Sequence, residues 1–155
     1  MWKAIHEGDV LTVQAALAKG TKVDAKIRAW RLLRWAIQAG KLEILRLLVK
    51  NGANLRQPAQ EGCTPLDQAV GLGNLEVVKY LIEQRADVNQ PSANCTPLHT
   101  AAAWGRFEIA QFLLDKGANK RIKDAQGRNP RYFAAYYGHQ NLKELLKVRS
   151  PNNTT

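Results

Sequence analysis

Apolar residues recur along the chain in short stripes with helical spacing, separated by polar segments. Within each stripe the apolar positions lie three or four residues apart, which places them on one face of a helix. Three stripes are closely alike: Leu42, Leu45, Leu48 and Val49; Leu75, Val78, Leu81 and Ile82; and Phe107, Ala110, Leu113 and Leu114. The pattern predicts three amphipathic helices, each with one buried face.

Glycines mark the same period over almost the whole chain. Gly8, Gly40, Gly73, Gly105 and Gly138 fall at intervals of 32, 33, 32 and 33 residues. Each has an alanine four residues earlier, namely Ala4, Ala36, Ala69, Ala101 and Ala134. A second landmark follows twelve residues after the first four glycines, at Gly20, Gly52, Arg85 and Gly117. A period of this length indicates about five similar units stacked in a row.

Helix start signals occur at matching places. Thr64-Pro65 and Thr96-Pro97 each combine a good N-cap with a proline suited to the first helical position, and Asn129-Pro130 repeats the arrangement. Each unit is therefore predicted to contain a short helix, a tight turn at the glycine, a longer helix and a polar connector.

Residues 95–119 (CTPLHTAAAWGRFEIAQFLLDKGAN) and 64–89 resemble the ankyrin-repeat consensus. The resemblance extends over about residues 2–147. It implies an all-α ankyrin-repeat solenoid with finger-like hairpin connectors, in which the short helices and connectors form a concave face. One domain, 1–147, is expected, followed by a flexible tail, 148–155. Its repeats would be approximately 1–25, 26–58, 59–90, 91–123 and 124–147.

Several positions depart from this pattern. The first copy begins inside its short helix at Met1-Trp2, so it serves as the N-terminal cap. Arg31-Leu32 replaces Thr-Pro, which predicts a weakly capped helix start. Arg85 replaces the glycine that ends a helix, at a cost of about 1 kcal/mol for a left-handed non-glycine residue. Arg131 stands where leucine belongs, as expected in a terminal repeat whose outer face is uncovered.

Composition and charge limit the kinds of partner and the cellular compartments that suit the chain. The chain has 155 residues and a formal net charge of +10. Residues 1–62 and 96–155 are basic, whereas 63–95 are slightly acidic, so a continuous basic track is not expected. No segment approaches the roughly 20 apolar residues of a membrane helix. The two cysteines, Cys63 and Cys95, are predicted to be free thiols, which favours a reducing cytoplasmic or nuclear location.

Motifs for catalysis or metal binding are lacking. No histidine or cysteine pair has metal-ligand spacing, and no phosphate loop or nucleophile motif occurs. No enzyme activity, cofactor or metal is therefore expected. The resemblance gives His99 a structural hydrogen bond. It also makes Asn89, in Asp87-Val88-Asn89, similar to a site that asparagine hydroxylases modify, although the same residues are needed for the fold.

The resemblance also implies which residues contact a partner: mainly connector residues and the two positions before each short-helix glycine. The candidates are Arg28, Trp30, Gln60, Glu61, Leu72, Ala103, Trp104, Gln126, Arg128, Tyr136 and Tyr137. Tryptophan, tyrosine and arginine are enriched in binding hot spots. The alternative is that these aromatic side chains only cover a neighbouring helix.

The predicted function is a non-catalytic, monomeric protein-binding module whose concave face binds an acidic or mixed peptide segment. One alternative is a binder of nucleic acid or a phosphorylated ligand, because basic and aromatic residues could contact phosphates and stack on bases. A second alternative is an engineered ankyrin scaffold.

Overall fold

The computed structural model describes residues 2–18, 26–56, 62–92 and 95–148, which fall into two compact units, Met1–Asp87 and Val88–Thr155. Part of the predicted tail, 149–155, lies outside the described residues. The described residues form ten helices: α1 (Trp2–Glu7), α2 (Val10–Ala18), α3 (Lys26–Gln38), α4 (Leu42–Lys50), α5 (Pro65–Leu72), α6 (Leu75–Glu83), α7 (Pro97–Ala103), α8 (Phe107–Asp115), α9 (Pro130–Tyr136) and α10 (Gln140–Leu145).

In the first unit, consecutive helices pack on each other in three pairs, α1/α2, α3/α4 and α5/α6. The first helices of the pairs pack in a row, α1 on α3 and α3 on α5, while α2 packs on α4. The predicted stripe of α4 is buried at Leu45 and Leu48, and that of α6 at Val78 and Leu81. The apolar spacing in the sequence therefore marks the core-facing sides of these helices.

The second unit repeats this arrangement with two pairs. Helix α7 packs on α9, and α8 packs on α10. Ala101 and Ala134 are fully buried, and their small side chains allow α7 and α9 to lie close together. Leu113 and Leu142, on α8 and α10, are also buried.

The predicted all-α class is confirmed, because no β-strand forms within the ranges that the structure describes. Short hairpin-like turns occur in two connectors of the second unit. In one, Ser92 and Cys95 form an isolated antiparallel bridge. In the other, the Asp124 amide donates to the carbonyl oxygen of Arg128 at 2.9 Å.

The predicted helix starts are confirmed at the proline positions. Helices α5, α7 and α9 begin at Pro65, Pro97 and Pro130. The Thr64 side chain accepts a hydrogen bond from the amide of Asp67. Asn129 does the same for the amide of Tyr132, so both caps satisfy an amide that has no partner within its helix.

The predicted start of the helix near Arg31-Leu32 is wrong. Helix α3 begins earlier, at Lys26, and runs through both residues. The segment from Lys26 to Gln38 contains no proline or glycine, so nothing in it interrupts helical hydrogen bonding. Without Thr-Pro to fix the start, the helix extends into what the resemblance gives as a connector.

Arg85 has the predicted left-handed backbone, with φ of 63°. It follows the end of α6, and its amide donates to the carbonyl oxygen of Ile82 at 2.9 Å. We expect Arg85→Gly to raise the free energy of unfolding by up to about 1 kcal/mol, since glycine adopts this conformation without a Cβ clash. Urea denaturation measures the change, and a loss of stability would contradict this account of the backbone.

Asn89 links two connectors of the second unit. Its side-chain amide donates to the Gly117 carbonyl at 3.1 Å, and its side-chain oxygen accepts from the Asn119 amide at 2.8 Å. These bonds explain why the fold uses asparagine at this position. Its modification stays a prediction.

Gly105 is required at the turn between α7 and α8 by both its backbone and its surroundings. Its φ is +68°, and a Cβ there would lie 2.8 Å from Cε1 of His139. The His139 ring cannot move away freely, because its Nε2 lies 3.2 Å from the Ala103 carbonyl oxygen.

We therefore expect Gly105→Ala to lower the free energy of unfolding by about 2 kcal/mol, about half from the backbone and half from the displaced hydrogen bond. Gly127→Ala is the matched control. Its φ is +77°, but no atom lies within 4 Å of the added Cβ, so it should lose only about 1 kcal/mol. Equal losses in urea denaturation would contradict the steric explanation.

Candidate functional site: an exposed aromatic surface

Five large aromatic side chains in the described part of the second unit are exposed to solvent: Phe107 the least, at 36%, and four others more strongly. The exposed fractions are 64% for Trp104, 46% for Tyr132, 71% for Tyr136 and 54% for Tyr137. Apolar burial drives folding, so aromatic side chains left in solvent contribute little to the core. We call these four residues the aromatic surface.

The backbone places Trp104 and Tyr137 at equivalent points. Each is the C-terminal cap of its helix, with φ and ψ of −94° and 6° for Trp104 and −90° and 6° for Tyr137. Because α7 and α9 pack together, the two side chains come from adjacent turns. The contact between His139 and the Ala103 carbonyl holds these turns together.

The three tyrosines pack on one another. Tyr132 and Tyr136 lie one helical turn apart on α9, with ring centroids 6.1 Å apart and planes 13° from parallel. Tyr136 and Tyr137 meet edge to face, with centroids 5.0 Å apart. These contacts restrict ring motion before any partner binds, which lowers the entropy cost of binding.

Arg128 adds a cation to one end of this surface. Its guanidinium carbon lies 4.9 Å from the Phe133 ring centroid and 5.7 Å from that of Tyr132. Its Nε donates to Oδ2 of Asp124 at 2.7 Å, and its Nη2 donates to Oε1 of Gln126 at 2.9 Å. The guanidinium is therefore fixed by two hydrogen bonds and by stacking on aromatic rings.

The Asp124 carboxylate organises the turn that carries Arg128. Its Oδ1 accepts from the backbone amides of Gln126 and Arg128, at 2.9 and 2.8 Å. Burial alone would raise the pKa of this carboxyl, but the hydrogen bonds from Arg128 and Gln126 together lower it below its ordinary value of 3.8. The carboxylate is therefore charged at neutral pH and holds both the backbone and the side chain of Arg128.

The structural role of His99 is confirmed. Its Nδ1 accepts from the Thr96 amide at 3.1 Å, so Nε2 carries the proton and donates to the Arg128 carbonyl oxygen at 3.1 Å. The Phe133 ring packs edge-on against it, with centroids 5.6 Å apart. His99 thus connects the start of α7 to the turn that carries Arg128.

The state of His99 predicts a pH dependence of stability. Burial lowers the pKa of His99 below its ordinary value of 6.5, so the unfolded chain takes up this proton more readily than the folded chain. The stability contribution is therefore complete above pH 6.5 and decreases as the pH falls from 6.5 towards the folded pKa. We expect His99→Gln to reduce the slope of unfolding free energy between pH 7 and 5, measured by urea denaturation. An unchanged slope would contradict this assignment.

The predicted contact residues at positions 28–72 belong to the first unit. Arg28 and Trp30 were expected on a connector, but both lie in α3, for the reason given above. Trp30 is half-buried, and the Arg28 side chain lies outside the described part of the structure, as do Gln60 and Glu61. Leu72, at the end of α5 in the first unit, is exposed.

In the second unit the predicted residues are brought together in two groups. Tyr136 contacts Tyr137, and Gln126 contacts Arg128. The half-buried Ala103 contributes its carbonyl oxygen to His139. The sequence interpretation omitted Tyr132 and Asp124. The four-residue spacing of Tyr132 and Tyr136 on a predicted helix could have indicated the first.

A concave region of about 280 Å³, separate from the aromatic surface residues, lies where α8 and α10 begin. It is lined by Gly105, Phe107, His139, Gln140, Asn141 and Leu142. The Phe107 side chain is 36% exposed. In the described ranges, no group of three or more histidine, cysteine, aspartate or glutamate side chains is arranged to hold a metal ion.

The family model described as ankyrin repeats, in three copies, matches residues 1–92 and 89–155. The chain belongs to the ankyrin-repeat family. Ankyrin repeats are generally protein–protein interaction modules, so the exposed side chains of this ankyrin-repeat chain are candidates for partner contacts.

The chain is similar to the 2-5A-dependent ribonuclease of Mus musculus, with 38% identity over 65 residues. The match covers 41% of this ankyrin-repeat chain and 9% of the mouse protein. The aligned part is thus a small fraction of the ribonuclease. Among the described residues, no helix combines the length and apolar character needed to cross a membrane.

Proposed function

We propose that this ankyrin-repeat chain is a non-catalytic module that binds a partner protein on the aromatic surface of Trp104, Tyr132, Tyr136 and Tyr137. The single observation that carries the proposal is the exposure of these four rings together on packed helices. Each ring offers a large contact area at a small entropy cost, as in binding hot spots. The proposed partner lies on the face formed by the ends of α7 and α9 and the connector at 119–129.

Site-specific photo-crosslinking tests this proposal. Tyr136 is replaced by benzoylphenylalanine, and Gln111, which is exposed on α8, receives the same replacement as a control. We expect irradiation in cells to join a discrete partner protein to position 136 and not to position 111. Equal products at both positions, or products at 111 alone, would contradict the proposal.

A ligand that carries phosphate groups, including nucleic acid, is a second candidate. It is favoured by five basic residues and one acidic residue between positions 119 and 137. Such binding releases counterions and weakens steeply with salt. Binding of a mixed-sequence single-stranded oligonucleotide at low and physiological salt tests it, and an absence of binding at low salt would eliminate this candidate.

The monomeric state and the cytoplasmic or nuclear location stay predictions. Within the described ranges, Cys63 and Cys95 are thiols and not part of a disulfide, which is compatible with a reducing compartment.

A further inference from the structure

The segment that carries the three tyrosines of the aromatic surface has an almost entirely positive charge. Residues 119–137 contain Lys120, Arg121, Lys123, Arg128 and Arg131, and Asp124 is their one acidic residue. The Asp124 side chain is only 1% exposed and is paired with Arg128. This segment therefore presents basic and aromatic groups to solvent without an exposed carboxylate.

Arg128 is held in a position suited to a carboxylate. Among the described residues, its bonds to Asp124 and Gln126 use two of the five N–H donors of a guanidinium. Its side chain is 38% exposed. An arginine that is already fixed loses less entropy when it pairs with a ligand, and its planar fork matches the geometry of a carboxylate.

The tyrosine geometry argues against bases inserted between the rings. Stacked bases lie about 3.4 Å apart, so a base between two rings needs about 6.8 Å. The Tyr132 and Tyr136 centroids are only 6.1 Å apart, and one face in the Tyr136–Tyr137 pair is covered by the edge of the other ring. The exposed parts of the three rings, 46% of Tyr132, 71% of Tyr136 and 54% of Tyr137, can still contact side chains of an extended peptide.

We propose that the aromatic surface and Arg128 together select an extended acidic peptide segment. Carboxylates of the segment pair with Arg128 and with the exposed Arg121 and Lys123, while its apolar side chains lie on the exposed parts of the tyrosine rings and on Trp104. This inference rests on the proposed function and specifies the chemistry of its partner.

A random peptide library displayed on phage tests the inference without a known partner. The library is selected on the whole chain, and the enriched peptides are synthesised and measured by fluorescence anisotropy. We expect them to be enriched in aspartate and glutamate relative to the unselected library. Arg128→Gln should weaken their binding about 10- to 100-fold, the range expected when a charge-assisted hydrogen-bonded pair is lost.

Two further variants separate a specific contact from the general attraction of a basic protein. Lys116→Gln removes the same charge from the end of α8, which packs on α10, and should weaken binding about fivefold or less. Arg128→Lys keeps the positive charge but loses the planar guanidinium that can donate two parallel hydrogen bonds to a carboxylate. This variant should bind the peptides more tightly than Arg128→Gln and less tightly than the unaltered chain. Thermal unfolding of each variant confirms that it is folded.

The outcomes distinguish this inference from the proposed function. Two outcomes would overturn the acidic-segment inference alone, provided that the Trp104→Ala, Tyr137→Ala double variant still abolishes binding. One is that the selected peptides show no excess of acidic residues. The other is that Arg128→Gln and Lys116→Gln lose equal affinity for them. Peptides that bind this double variant normally would overturn the proposed function. An oligouridylate that binds more tightly at physiological salt than every selected peptide would overturn the inference in favour of nucleic acid. Failure to select any peptide would contradict both the acidic-segment inference and the proposed function.

Discussion

Combined replacement of Trp104→Ala and Tyr137→Ala is expected to reduce the affinity for the partner protein about 100- to 1,000-fold, since truncation of a hot-spot residue costs about 2 kcal/mol or more. Both side chains are more than half exposed, so little core packing is lost. The free energy of unfolding should change by less than about 1 kcal/mol. Isothermal titration calorimetry with the crosslinked partner, once identified, measures the affinity.

Phe107→Ala is the matched control for this variant. Phe107 is also an exposed aromatic residue of the second unit, but it lines the concave region where α8 and α10 begin. Its replacement should leave the affinity within about threefold, as expected for a residue outside the hot spot. The reverse result, with a large loss for Phe107→Ala and none for the double variant, would assign binding to the other region.

Leu142→Ala is expected to lower the free energy of unfolding by about 2–5 kcal/mol, because it removes a buried leucine side chain and leaves a cavity. Leu142 is 2% exposed and lies on α10, which packs on both α8 and α9. The cavity lies within the α9/α10 pair and weakens it directly, so we expect α9 and α10 to open first. Hydrogen exchange of their amides should then accelerate more than exchange in α7 and α8.

Asn141→Ala is the control for a substitution at this place in α10 that removes no buried side chain. Asn141 is the preceding residue on α10 and is exposed, so its replacement should change stability by less than about 0.5 kcal/mol. If Leu142→Ala costs no more than Asn141→Ala, the packing of the last helical pair described above is wrong. Because α9 carries Tyr132 and Tyr136 and is capped by Tyr137, Leu142→Ala should also weaken partner binding.

The repeat architecture could be predicted from the sequence because each unit carries its own local signals. Thr64-Pro65 fixes a helix start because the Thr64 side chain accepts a hydrogen bond from one backbone amide and the Pro65 ring suits the first helical position. Gly105 fixes a turn because it adopts a positive φ without strain. These interactions depend on residues near in sequence. The predicted start of α3 was wrong because no such local signal occurs there. An uninterrupted run of helix-forming residues set the start of this helix instead.

The candidate site was predicted in part. Trp104 and Tyr137 occupy equivalent positions in adjacent repeats, and the resemblance to ankyrin repeats identified both as candidates for partner contacts. The fixed orientation of Arg128 could not be predicted, because it depends on Asp124, on Phe133 and on the bond from His99 to the Arg128 carbonyl. These contacts combine residues of α7, a turn and α9, and their geometry exists only in the folded unit.

The solenoid also explains why the aromatic surface can stay in solvent. Buried alanines let α7 and α9 pack closely, and buried leucines on α7, α8 and α10 complete the core of this unit. The end positions Trp104 and Tyr137 are thus not needed for packing. A rigid scaffold with exposed aromatic residues at repeated positions suits a surface that binds another chain.

The central claim is that the partner covers the aromatic surface, and the fluorescence of Trp104 tests it most directly. Trp2, Trp30 and Trp35 are replaced by phenylalanine, so that Trp104 is the one remaining tryptophan. The account predicts that saturating partner protein shifts its emission to shorter wavelength and protects it from acrylamide, because the exposed indole becomes desolvated. Unchanged emission and unchanged quenching, in a complex shown to form by calorimetry, would contradict it.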